Sequence, residues 1–153
     1  MGEQLASIIM SKISKTNLKR FQQSLRRISL KQGFYDTFYD HFMAQSEEIA
    51  RIFHARDMDQ LKGKLKETLQ MIEDALVGKP GVVLYLEMLG RIHTRLKVDQ
   101  RHFEMWKEAL LATIERYDDE YDAEVKIAWQ EAIEMVVSLM YPESAIVDMA
   151  ASQ

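Results

Sequence analysis

The chain has 153 residues, 47% of them apolar, with six glycines, two prolines and no cysteine, a size and composition that suit one domain with a packed core. The missing cysteines exclude thiol catalysis, disulfides and zinc–thiolate sites, and a formal charge of −4 argues against nucleic acid as the main partner. No stretch reaches the roughly 20 apolar residues that cross a bilayer, and the start does not read as a secretory signal, so a soluble, cytoplasmic protein with no membrane partner is expected.

Residues 1–16 carry Leu5, Ile8, Ile9 and Ile13, a short helical stripe that predicts a leader helix. The main domain is expected over 17–141, with 142–153 as a frayed tail. From Lys12 to Lys31 the chain holds seven basic residues and no acidic one. That run is either the solvated face of the next helix or a docking face for an acidic partner. Within it, Leu18, Phe21, Leu25, Ile28 and Leu30 predict a helix from about Asn17. After Gly33, the residues Phe34, Tyr35, Phe38, Tyr39 and Phe42 cover one broad helix face. Two of them are phenols, which need hydroxyl partners if buried.

Ser46 is a plausible cap for a short helix that Phe53 closes. A long helix follows from about Asp57, with the stripe Met58, Leu61, Leu65, Leu69, Ile72 and Leu76. Gln60 lies about 100° off that stripe. Gly78, Pro80 and Gly81 break the pattern. From Pro80 to Leu96 the stripe is Val82, Tyr85, Leu86, Leu89 and Leu96, and His93 falls on it. A helix from Asp99 to Tyr117 buries Phe103, Trp106, Leu110, Ile114 and Tyr117. The acidic run 118–122 makes the turn. A last helix, Tyr121 to Met140, buries Val125, Ala128, Trp129, Ile133, Val136 and Met140. No strand pattern appears, so the fold class is all-α.

The common catalytic templates fail. There is no HExxH, no phosphate-cradling GxxxxGK and no GxGxxG. A di-iron bundle needs two Glu-x-x-His pairs, and this chain has only Asp99-x-x-His102. Nearly all carboxylates fall on faces expected to meet solvent. The inward imidazole of His93 remains. Such a histidine is more often satisfied by a backbone carbonyl than by a metal. An axial imidazole beneath a flat iron porphyrin would also use it, along with the Tyr-rich helix, Phe53 and the Leu61/Leu65 stripe.

These residues resemble a globin, in particular the bacterial single-domain haemoglobins and the sensor globins, over roughly Asn17 to Met140. His93 precedes the pair His102-Phe103 by nine residues, with Val98 between and Glu108-Ala109-Leu110-Leu111 after. Tyr39 precedes Phe53 by fourteen. The bacterial globins have the same two spacings. The resemblance implies a globin fold with an extra N-terminal helix, its helices packed around a pocket for haem b. His93 then matches the proximal iron ligand. Phe53 matches the corner phenylalanine, and Tyr39 the distal tyrosine that donates to dioxygen. Leu61 or Gln60 matches the distal position facing the gas. Leu65 lines the pocket above, while Leu89, Val98 and Phe103 line it below. Lys62, Lys64 and Arg91 lie near where the haem propionates would emerge.

The chain also departs from the family. The usual distal histidine is missing, and Phe103 stands where many bacterial haemoglobins have tyrosine. The signalling domain of the sensor globins is not expected. The implied activity is reversible binding of dioxygen, carbon monoxide or nitric oxide, for transport or sensing. The alternative is a nitric oxide dioxygenase served by an external reductase. A homodimer and a separate signalling or reductase protein are the candidate partners, and the last two helices and the basic leader are the candidate contact surfaces. With a charge-assisted hydrogen bond of about 1.5–3 kcal/mol, Tyr39→Phe is expected to raise the dioxygen off-rate roughly ten- to a hundredfold.

Overall fold

A computed structural model describes residues 13–141. The leader stripe Leu5, Ile8 and Ile9 and the tail from 142 to 153 lie outside the described residues. Within them the chain forms α-helices and no strand. The helices are α1 (Lys15–Ser29), α2 (Phe34–Ala44), α3 (Glu47–His54), α4 (Met58–Leu76), α5 (Val82–Arg95), α6 (Gln100–Tyr117) and α7 (Ala123–Met140).

Local chemistry sets the boundaries. Ser14, Ser46, Asp57, Asp99 and Asp122 each cap a helix by accepting a backbone N–H, filling one of the donors that a first turn leaves open. Asp99 makes a capping box with an unusual partner: the Asp99 N–H donates to Nδ1 of His102 at 3.1 Å. The other nitrogen of His102 lies 3.2 Å from Oε1 of Glu48 on α3. Both imidazole nitrogens are thus committed, and this histidine fastens α3 to α6.

Helix α7 is the spine. Ala128, Trp129 and Ala132 on it are wholly buried. Helix α1 packs along α7, α2 lies on α6, and α4 touches α1, α2, α5 and α7. Three of the seven basic residues from Lys12 to Lys31 find a mate inside the chain. Arg20 pairs with Glu124, Arg27 with Asp118 and Glu120, and Lys31 with Asp119. The acidic turn between α6 and α7 is therefore the partner of two of those basic side chains, and the first turn of α7 of the third. Asp118, expected on a solvent face, is buried instead. It accepts from Ser24 and Arg27, and Ser24 in turn accepts from Nε1 of Trp129 at 2.9 Å.

Most of the predicted stripes are buried. Three expected core positions are not: Leu30 is 85% exposed, Tyr85 48% and Leu96 69%. Leu30 falls past the end of α1 and turns outward. Tyr85 sits on α5 and Leu96 caps its end, and the apolar arc of that helix is too wide for one neighbour to cover. Its inner edge meets α7 at Gly90. A Cβ added there would lie 2.0 Å from the backbone oxygen of Met140, so only glycine allows the two helices this close.

Candidate functional site

Two groups of side chains gather around the places the sequence pointed to. The first is built by α2, α3 and α4. Tyr39 is 6% exposed, and its ring lies 6.0 Å from that of Phe53. Phe42, on the same helix as Tyr39, lies 5.5 Å from Phe53. Leu61 and Leu65 are 8% and 2% exposed, whereas Gln60 is exposed. Helix periodicity accounts for this, because Leu61 lies on the inward stripe of α4 and Gln60 beside it. The Tyr39 hydroxyl donates to the backbone oxygen of Leu61 at 2.7 Å. Burial pushes that phenol up to about 12, so it stays protonated and keeps a hydrogen to donate near neutral pH.

The second group is built by α5, the turn after it and α6. His93 is half-buried, its ring edge-on to Phe103 at 5.7 Å. Nδ1 is buried and has no hydrogen-bond partner, so the expected bond to a backbone carbonyl is not made. The accessible part of the ring lies on the side away from Nδ1, where Nε2 is. Desolvation pushes the imidazole pKa down, which favours the neutral form that ligates metals. Leu89, Val98 and Phe103 are half-buried around it, and Leu96 is more open still.

The turn that places Val98 is a Schellman ending. The N–H of Val98 donates to the His93 carbonyl at 2.9 Å, and that of Lys97 to Thr94 at 3.1 Å. Lys97 takes φ 61° to allow this, the one non-glycine residue with positive φ among those described.

Sequence reasoning missed two features of this site. Tyr141 stacks edge-on against Phe103 at 5.5 Å, and its hydroxyl is the second buried polar atom without a partner. A position beyond the last apolar stripe gave no signal. Gly90 was missed for a different reason, since a residue without a side chain leaves no mark on a hydropathy pattern. Lys62 is ion-paired with Asp36. Lys64, Arg91, His41 and His54 are exposed.

The donor set fits one kind of metal group. Among the described residues no three His, Asp or Glu side chains come together to hold an ion. A metal at His93 would have to bring most of its own ligands, as the porphyrin of a haem does. Half-covered apolar side chains beside an imidazole with an open edge suit a flat apolar ring.

A family model described as Globin matches residues 36–140. The chain belongs to the globin family. Among curated relatives, an anaerobic nitrite reductase from Gossypium hirsutum is 31% identical over 67% of this chain. Another anaerobic nitrite reductase, from Arabidopsis thaliana, is 30% identical over 82%. The chain spans 66% of the first relative's length and 77% of the second's. A crystal structure from Pseudomonas aeruginosa, described as structurally highly homologous to a human haemoglobin, matches with TM-score 0.72 and 28% identity, covering 81% of this chain and 95% of that one. The architecture is thus the globin fold. No helix among the described residues is long and apolar enough to cross a membrane.

Proposed function

We propose that this globin holds haem b through His93 and reversibly binds dioxygen and other diatomic gases. The observation that carries the reading is the half-buried imidazole of His93, its buried Nδ1 unpartnered, among partly covered apolar side chains. Haem, when bound, supplies an iron with one coordination position left for the gas. The chain does the rest. His93 would hold the iron through Nε2, and Phe103 fixes its ring plane. Leu89, Val98 and Phe103 would cover one face of the porphyrin and Phe53 would pack against it, while Leu61 and Leu65 exclude water from the gas side. The Tyr39 hydroxyl would donate to a ligand that gains negative charge. For it to do so, the bond to the Leu61 carbonyl must be exchanged.

An absorption spectrum tests this. The chain reconstituted with haem should show a Soret band in the ferric, ferrous and ferrous–carbon monoxide states, and His93→Ala should lose or strongly shift it. An unchanged spectrum in that variant would remove His93 as the ligand. A pull-down that differs between deoxygenated and oxygenated protein would favour sensing over transport.

The names of the two plant relatives support a second reading, reduction of nitrite. Each nitrite would take one electron and two protons, giving nitric oxide and water. The electron must come from an external reductant, as it must for the nitric oxide dioxygenase alternative. Nitrite loss matched by nitric oxide release under anaerobic reduction would support it.

A further inference from the structure

The exposed apolar residues are not spread evenly. On the outside of α5, Leu84 is 72% exposed, Met88 43% and Ile92 40%. They recur every four residues and so form one ridge along the helix. At about 100° per residue, Leu84 points opposite to His93, and Met88 about 140° away from it. A ring held by His93 would lie near Tyr85 and Leu96 and leave Leu84 and Met88 bare. By contrast, α7 shows solvent only one large apolar side chain, Ile127, and three basic side chains of α1 and the turn after it are paired within the chain. Helix α7 therefore offers the smaller apolar face.

A second ridge, Glu87, Arg91 and Arg95, runs beside the first on the flank away from His93. It is acidic at its N-terminal end and basic at its C-terminal end. In an antiparallel, two-fold pair of helices, each flank meets the same flank of the other copy in reverse order. Glu87 of one copy would then fall near Arg91 and Arg95 of the other. A surface of this kind is complementary to itself.

We propose that the outer face of α5 is an interface with a second copy of this chain, Leu84, Met88 and Ile92 interlocking and Glu87 answering the arginines across the two-fold. Ridges spaced by four on both helices pack at about −50°, so the close contact centres on Met88 and Ile92. The interface is modest and the association weak. In each copy the contact lies on the outer side of α5 and His93 on the side away from Leu84.

Sedimentation equilibrium on the full, haem-loaded chain tests this. Dimerisation with a micromolar dissociation constant is expected. Leu84→Glu and Met88→Glu, which place a charge in the apolar contact, should each raise that constant about tenfold or more. Glu87→Arg should raise it about two- to fivefold, and adding Arg95→Glu to the same chain should restore it. The Soret band should stay unchanged in all four, which separates loss of contact from loss of fold. His93→Ala, which tests the haem reading, should still dimerise. A wild-type chain that stays monomeric overturns the proposal, as does a dimer indifferent to Leu84→Glu or a charge swap that restores nothing.

Discussion

The end of the molecule where α1 meets the α6–α7 turn and the end where His93 sits treat buried polar groups in opposite ways. At the first, Ser24, Asp118 and Trp129 are buried and all hydrogen-bonded, with the Arg27 guanidinium closing the cluster. At the second, the buried Nδ1 of His93 and the buried hydroxyl of Tyr141 have no partner, and the apolar side chains nearby are half-covered. An unpaired buried polar group costs about 1–3 kcal/mol. One end is complete as folded, and the other leaves two buried polar atoms unpaired. The complete end should dominate stability, and the incomplete end should respond to haem.

The strongest way to break this contrast is at Asp118. Burial alone would raise its pKa. Hydrogen bonds from Arg27 and Ser24, with another from the Glu120 N–H, overcome that and hold the carboxyl below its ordinary value. Asp118→Ala leaves the Arg27 guanidinium without its main partner and should cost about 3–5 kcal/mol, read from urea unfolding. Because the folded-state pKa is the lower one, the stability this group gives is full above the unfolded value. It should fall away as the pH drops from there through the folded value, and the fall should be missing in Asp118→Ala. Haem affinity per folded molecule should hardly change.

Gly90→Ala attacks the other end. The new methyl group meets the Met140 backbone at 2.0 Å, so α5 must move away from α7. Overpacking of this kind costs about 1–3 kcal/mol. Here the effect should not stay confined to stability, because Gly90 lies one turn before His93. The Soret maximum and the haem dissociation rate should both change. If only the unfolding midpoint moves, α5 tolerates displacement and His93 is not positioned by this contact.

The sequence made these two ends legible to different degrees. The cap at Ser46, the helix start near Asp57 and the stripes of α4 and α7 follow from local rules, and they were readable. Tyr39 and Phe53, which the resemblance put in one pocket, lie with their rings 6.0 Å apart. The burial of Asp118 was not readable, since an acid in a turn looks the same in sequence whether it faces water or an arginine far away in the chain. On α5 the periodicity misled for a physical reason. Apolar residues occupy most of its circumference, so hydropathy could not say which arc faces α7 and which faces out. Tyr85 and Leu96 were placed inside for that reason.

Tyr39→Phe should have a smaller effect than the family spacing alone suggested. The phenol is already bonded to the Leu61 carbonyl. A ligand would therefore gain only the difference between two hydrogen bonds. We expect the dioxygen off-rate to rise by about tenfold or less, with little change for carbon monoxide. Flash photolysis of both gases checks this. Equal effects on the two would mean that the hydroxyl serves only to tie α2 to α4.

The smallest expected effect is at Lys97, and it bears most directly on what the incomplete end is for. A side chain in the left-handed region costs about 1–2 kcal/mol, and glycine there would recover part of that while losing entropy in the unfolded chain. Lys97→Gly should thus stabilise the haem-free protein by about 0.5 kcal/mol. The turn it relaxes is the one that fixes Val98 against the carbonyl of His93. Strain kept at such a place matters only if a looser turn does its work less well. A variant that is more stable without haem yet releases haem faster would show that the strain helps hold the proximal wall. One that is more stable and binds haem as before would mean that Lys97 is merely tolerated, and that the rigidity of the site comes from the approach of α5 to α7 at Gly90.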